Sequence, residues 1–473
     1  MENLTKHLCD LAKRRGAAFA DVRAVRRAGE SVLVQDGRAD KLAASTDRGV
    51  GVRVLVGTCW GFASADSLQR RRGEDCVNDA LALAKASEAF VTDPAMIAEP
   101  AAVEADDRTD PEIPPGAMPV AEKIARLLEY ERCGRAAADG SGQIANSIVR
   151  YAEAWQEGVL ANTAGTLVRS AGSRAVVTAL FVATDGKILQ RGTEHRGIVG
   201  GAELLRQTEP DAFSGRAARK AFAALKAKPA PAGRFTVIFH PSITGLLVHE
   251  ALGHNAEADA VWAGQSILEG RLGDRLAPES ISIYDDSTLP GMFGSFAFDS
   301  EGTPAARRPI IENGHLVAFL HSLETAAKFE ARPTGSARAQ SYDCRPIVRM
   351  SNTFMAPGPN GVGVPLDEML RGVDRGVYLE DGHWGYVFVQ KGQFICHAGQ
   401  AHMIENGALG EPLRDVSISS LTLDVLANID AVGNDFEMKM PGMCGKGGQS
   451  APIDCGGPHV RVADVVVGGQ QGV

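Results

Sequence analysis

His249, Glu250 and His254 fall within the segment HEALGH, and these are side chains that a hydrolytic metal centre uses. Imidazole nitrogen binds zinc, and a neighbouring carboxylate can take a proton from water. The familiar zinc-peptidase helix sets its histidines four residues apart, on one face. Here they stand five apart. On a regular helix that spacing leaves them about 140° apart. Sharing a metal therefore demands a local distortion. A one-residue π-bulge or kink between Glu250 and His254 would absorb the additional residue. Gly253, which lacks a Cβ, makes that distortion cheaper. Leu246, Leu247, Val248 and Leu252 make the segment apolar, so a His-Glu-His set buried there without a metal would carry a large desolvation cost.

Two histidines need a third protein ligand, with one position left open for water. Glu257, Asp259, His397, His402, Cys444 and Cys455 are the candidates. Glu257 and Asp259 fit better as supports around the ligands or as a solvated helix face. His397 and His402 lie in HAGQAHMIENG, which reads as a strand near a turn, where a hydrogen-bonded structural histidine is the simpler reading. Cys444 sits in the glycine-rich PGMCGKGGQS, where the backbone can approach a metal closely. Spacing alone does not choose between Cys444 and Cys455.

These residues need elements to hold them. RFTVIFHP reads as a short apolar strand stopped by Pro241, followed by a helix from about Ser242 through the HEALGH segment. Upstream, AKPAPAGR at 227–234 is a break, and we set the main boundary there, dividing the chain into 1–230 and 231–473. The first part alternates helices with strands. An amphipathic helix opens the chain with Leu4, Leu8 and Leu11 on one stripe, and further helices are expected over 66–90, 120–138 and 201–227. Strands are expected over 21–27, 31–36, 49–56 and, in series, 143–198, with a surface loop from Thr92 to Pro119. After about Gly270 the pattern is one of short strands and turns.

With 473 residues, 44% hydrophobic and 23% charged, the chain is globular and has room for two or three domains. A net charge of -9 argues against a nucleic-acid binder. No apolar run approaches the ~18 residues that cross a bilayer, and the N-terminus lacks a signal-peptide core, so no membrane partner is expected. The eight cysteines are scattered without a CxxC pair, which points to a reducing cytoplasm.

HEALGHNAEAD, RMSNTFMAPG, HMIENGALGEP and VGNDFEMKMPGMCGKGGQSAP together resemble the TldD/PmbA family of metallopeptidases. The resemblance extends to DRGVGVRVLVGTCWGFASAD and to the terminal VVVGG, so it spans most of the chain. It implies His249, His254 and Cys444 as ligands of one zinc ion and Glu250 as the catalytic glutamate. The HExxxH motif with a distant cysteine places the chain on the TldD side, since the PmbA-like (TldE) branch lacks the metal motif. The implied fold is α+β: an N-terminal α/β domain, then a β-rich C-terminal domain carrying a kinked metal-binding helix. The implied substrate is a small or unfolded peptide laid out as an added β-strand, and the implied partner is a second copy or a TldE-like chain. Tyr342, His383 and His402 are candidates for stabilising an oxyanion. The alternative is a peptide-holding or regulatory partner without turnover.

Overall fold

The computed structural model describes residues 1–358, 363–438 and 440–468, excluding the side chains of residues 383 and 384. Its first part is one seven-stranded sheet. Strands β1 (Phe19–Gln35), β2 (Arg38–Val56), β3 (Cys59–Ala65), β4 (Glu104–Arg108), β5 (Gln143–Asn162), β6 (Leu167–Thr184) and β7 (Leu189–Val199) build it. The order is β3-β2-β1-β5-β6-β4, with β7 also on β6. Four of these strands are long, and successive side chains point to opposite faces. Val22, Val32 and Val34 of β1, Val149, Tyr151 and Val159 of β5, and Val177 and Phe181 of β6 all fall on one face and are buried. Helices α1 (Glu2–Arg14), α2 (Arg70–Ser87) and α3 (Val120–Ala136), with a helix over Arg216–Lys226, cover that face. In α1, Leu8 is fully buried, with Leu4 and Leu11 packed beside it.

The opposite face carries polar and small residues and meets the second part. Arg53 donates to Asp21 within the sheet at 2.7 Å and to Glu301 across the junction at 2.7 Å. Arg23 donates to the carbonyls of Ser341 and Cys344. Such buried ions are stable only when paired, so this network fixes how the parts meet.

The second part holds a seven-stranded sheet and a second sheet that closes on itself. In the closed sheet, Gly233–Phe239 pairs with Arg375–Phe388 on one side and Val460–Gly468 on the other. The ring continues through Val416–Leu421 and Gln393–Glu405 back to Arg375–Phe388. Its core of valines, isoleucines and leucines includes Val237, Val377, Ile418 and Val462, all 0 to 1% exposed. The whole is an α+β fold with a β-rich second part.

Three sequence expectations change. The 92–119 loop contains the edge strand β4, paired parallel to β6. The helix expected over 201–227 is broken into Glu203–Gln207, a π turn at Asp211–Gly215 and the helix Arg216–Lys226. Beyond Gly270, the strands Arg375–Phe388 and Gln393–Glu405 are long rather than short.

Candidate metal centre

The strand Gly233–Phe239 leads straight into the site. His240 caps the next helix, its Nδ1 accepting from the Ser242 N–H at 3.2 Å, and Pro241 takes the first helical position, where its missing N–H costs nothing. The α-helix Pro241–Leu247 then loosens into a π-helical turn over Val248–Gly253 and tightens into a short turn over His254–Ala256. The His254 N–H donates to the His249 carbonyl, the five-residue bond of a π turn. The distortion expected from the histidine spacing is therefore present. It sets the two imidazoles with ring centroids 5.1 Å apart.

Gly253 serves this turn through space rather than backbone freedom. Its φ of -58 is ordinary, but a Cβ there would lie 2.0 Å from the Met350 sulfur.

Cys444 arrives on a hairpin. Gly442–Lys446 pairs with Gln449–Gly457, opposing Cys444 to Ala451. The tip is Gly447–Gly448, with φ of 57 and 74, the left-handed pair that a tight two-residue turn requires. Cys444 Sγ comes to 3.3 Å from His254 Nε2. One donor atom from each of His249, His254 and Cys444 lies within 4.8 Å of the others, and this is the one such convergence among the described residues. Cys455 is not in it. It lies on a buried strand opposite Thr353, its thiol held well above the usual range by burial.

The surroundings are charged and ordered. Glu257, 1% exposed, accepts from His254 Nδ1 at 3.0 Å and is ion-paired with Lys446 Nζ at 3.1 Å. Lys446 also holds Asp259 at 2.6 Å. Glu257 and Asp259 thus support the ring rather than join the donor set. Arg349, buried, donates to the Cys444 carbonyl at 2.6 Å and stands 3.8 Å from Glu257. Burial raises the Glu257 pKa, but Lys446 and His254 outweigh it and bring it to about 2. Burial raises the Cys444 pKa too, yet hydrogen bonds to His249 and His254 lower it to about 5. Burial lowers His254, while Glu257 and Cys444 overcome that and lift it to about 10. Without metal, these groups favour a thiolate beside an imidazolium.

Glu250 stands 3.9 Å from His254 Nε2 and lies against Gly385 of the strand Arg375–Phe388. Burial raises its pKa, opposed by His249 and His254.

Sequence reasoning missed Arg349 and Lys446 as supports. A basic residue opening the buried RMSN segment was the available signal. Tyr342 is engaged elsewhere: its hydroxyl donates to Asp47 at 3.0 Å on the first sheet. His402 sits on Gln393–Glu405 beside the Gly410 carbonyl, and the side chain of His383 lies outside the described residues.

A helix bent to bring two histidines together, with a cysteine from a remote hairpin, forms a three-donor site of the kind that can hold a metal ion. Family models for PmbA/TldA metallopeptidase domain 1, central domain and C-terminal domain match residues 20–84, 113–225 and 232–469. The chain belongs to the PmbA/TldD metallopeptidase family. It is 38% identical over 453 residues to a protein of Methanothermobacter thermautotrophicus named "Metalloprotease", covering 95% of each. It is 27% identical over 464 residues to a "Zinc metalloprotease TldD homolog" of Saccharolobus solfataricus, covering 97% of this chain and 98% of that one. The crystal structure of TldE from Thermococcus kodakarensis shares the fold with a TM-score of 0.74 at 18% identity, covering 98% of this chain and 100% of that one.

Proposed function

We propose that this chain is a zinc-dependent peptidase acting on small or unfolded peptides, with His249, His254 and Cys444 holding one zinc ion per chain and Glu250 as general base. The observation that carries this reading is the convergence of three donor atoms within 4.8 Å. His249 Nδ1 supports it: that atom is buried with no hydrogen-bond partner, a costly arrangement that a metal-loaded site would justify. Two imidazoles and a thiolate are a donor set zinc accepts. Glu257, bonded to His254 Nδ1, fixes that ring's orientation.

A zinc ion bound there supplies Lewis acidity that brings the pKa of an attacking water toward neutrality. Glu250 takes the proton from that water as its oxygen bonds to the peptide carbonyl carbon. The same carboxyl returns the proton to the leaving amine as the C–N bond breaks.

The peptide is held as an added strand. Arg375–Phe388 pairs with Gly233–Phe239 only as far as Leu379, while its other edge stays paired through Phe388. Main-chain groups beyond Leu379 thus border Glu250 and suit an extended peptide of varied sequence. We further assign residues 1–230 and 231–473 to separate domains. The partner is a second copy or a TldE-like chain, and the compartment is the cytoplasm, consistent with eight free cysteines. No helix among the described residues is long and apolar enough to cross a membrane.

Metal analysis of purified wild-type, Cys444→Ser and Cys455→Ser proteins, with digestion of an unstructured peptide library, tests the reading. Zinc and cleavage in the wild type, with zinc lost in Cys444→Ser alone, are expected. Zinc loss in Cys455→Ser instead would move the third ligand. A zinc-free wild type that stays inactive after zinc is added would favour a peptide-holding role.

A further inference from the structure

Behind the hairpin that carries Cys444 lies a groove between the open face of the first sheet and the second part, with a volume of about 890 Å³. Neighbouring residues on a strand face opposite ways. Cys444 turns toward the histidines, while Met443, 60% exposed, lines this groove. Gly29, Ala152, Ala154 and Gly172 on the sheet leave room between the larger side chains.

Arg27, Arg150, Arg174 and Arg338 line it. Arg27 is paired with Asp47 at 2.9 Å. Arg150 is exposed and has no ion-pair or hydrogen-bond partner among the described residues. Arg338, 8% exposed, donates to the Met350 carbonyl and rests over the Phe296 ring. Arg174 donates to the carbonyls of Phe293 and Ser295. Among the described residues, neither Arg174 nor Arg338 has a carboxylate within salt-bridge range; Asp107 favours the Arg174 charge and Asp285 the Arg338 charge from farther off, while the two arginines repel each other. Guanidinium does not shed its charge, and buried charges call for partners.

The acids lining the groove are already engaged. Asp47 holds Arg27 and the Tyr342 hydroxyl. Glu153 holds the buried Lys123 at 2.7 Å. Asp299 accepts the backbone N–H groups of Glu301, Thr303 and Ala337. The groove is thus cationic within a chain of net charge -9.

We propose that this groove is a second binding site, distinct from the metal centre, for the carboxylates of an extended acidic peptide. Arginine's planar fork matches a carboxylate, and the volume exceeds what one small anion fills. The site is one of binding and stands whether or not Glu250 turns peptide over.

The test uses the full-length Glu250→Gln protein and fluorescein-labelled peptides of one sequence. They carry either a Glu pair, a Gln pair, or the Glu pair with an amidated C-terminus. Anisotropy should show the Glu peptide binding about fivefold or more tightly than the Gln peptide, with the difference shrinking in high salt. Loss of affinity on amidation assigns the contact to the chain end, and a Glu-over-Gln preference that persists assigns it to side chains; both support the carboxylate site. Arg150→Glu and Ala152→Glu, which place negative charge in the groove, should abolish the discrimination. Equal affinity for all three peptides, or discrimination untouched by both variants, overturns the proposal.

Discussion

The backbone N–H of His254 donates to the carbonyl of His249, and that five-residue bond brings edge to face two imidazoles that a regular helix would turn apart. Met350 limits what can stand beside the turn. Gly253→Ala would drive a methyl into the Met350 sulfur, 2.0 Å away. Overpacking of this kind costs about 1–3 kcal/mol, read as a lower urea midpoint, and should reduce bound zinc. Adding Met350→Ala should recover zinc content. A Gly253→Ala protein with the wild-type midpoint would remove the steric argument.

Glu250→Gln keeps the shape of the side chain and removes its basicity. Peptide turnover should fall by about 10²–10⁴-fold while zinc content stays at the wild-type level. Turnover within twofold of wild type would take Glu250 out of the proton transfer.

Glu257→Gln keeps a hydrogen-bonding atom for His254 but deletes the charge shared with Lys446 and Arg349. Competition with a chromophoric chelator should show zinc affinity reduced about 10–100-fold. Undiminished affinity would mean that this carboxylate only balances its cationic neighbours.

His321 predicts acid sensitivity away from the metal site. Its ring, 4% exposed, packs against Phe319 and Phe329, and burial lowers its pKa from 6.5 to about 4. The folded state binds fewer protons there than the unfolded chain. Its stabilising contribution is complete above pH 6.5 and is lost as pH falls toward 4. At a pH of about 5 the loss is on the order of 2 kcal/mol. Urea titrations at neutral and mildly acidic pH should show it, and His321→Phe should flatten that part of the profile. An unchanged slope in the variant would show that the ring does not titrate in this window.

Much of the centre was legible because it is local. A histidine pair five apart within an apolar helix has few ways to converge, and the turn at Val248–Gly253 is one of them. The third donor was not legible from spacing, because Cys444 reaches His254 across 190 residues. Its approach depends on which strand each cysteine joins: Cys444 on the hairpin, Cys455 against Thr353. Arg349 and Lys446 escaped notice because a buried cation is recognised only once its carboxylate is seen beside it. The edge strand Glu104–Arg108, EADDR, lacks β-branched and aromatic residues, so local preference spoke against it. Within the closed sheet Arg375–Phe388 and Gln393–Glu405 form a local hairpin, but closure into a ring has no local signature, since Gly233–Phe239 joins Arg375–Phe388 and Val460–Gly468 from far along the chain.

That closure sets a timetable for synthesis. The strand Gly233–Phe239, which leads into the histidines, needs Val460–Gly468 beside it, and Cys444 is made only shortly before that strand. The first sheet draws all seven strands from residues made earlier and can mature while the ribosome is still translating. The second part cannot complete its ring until Val460–Gly468 has been made. Assembly of the three donors is thereby deferred until Cys444 has been made, so a product terminated before it cannot form the complete donor set.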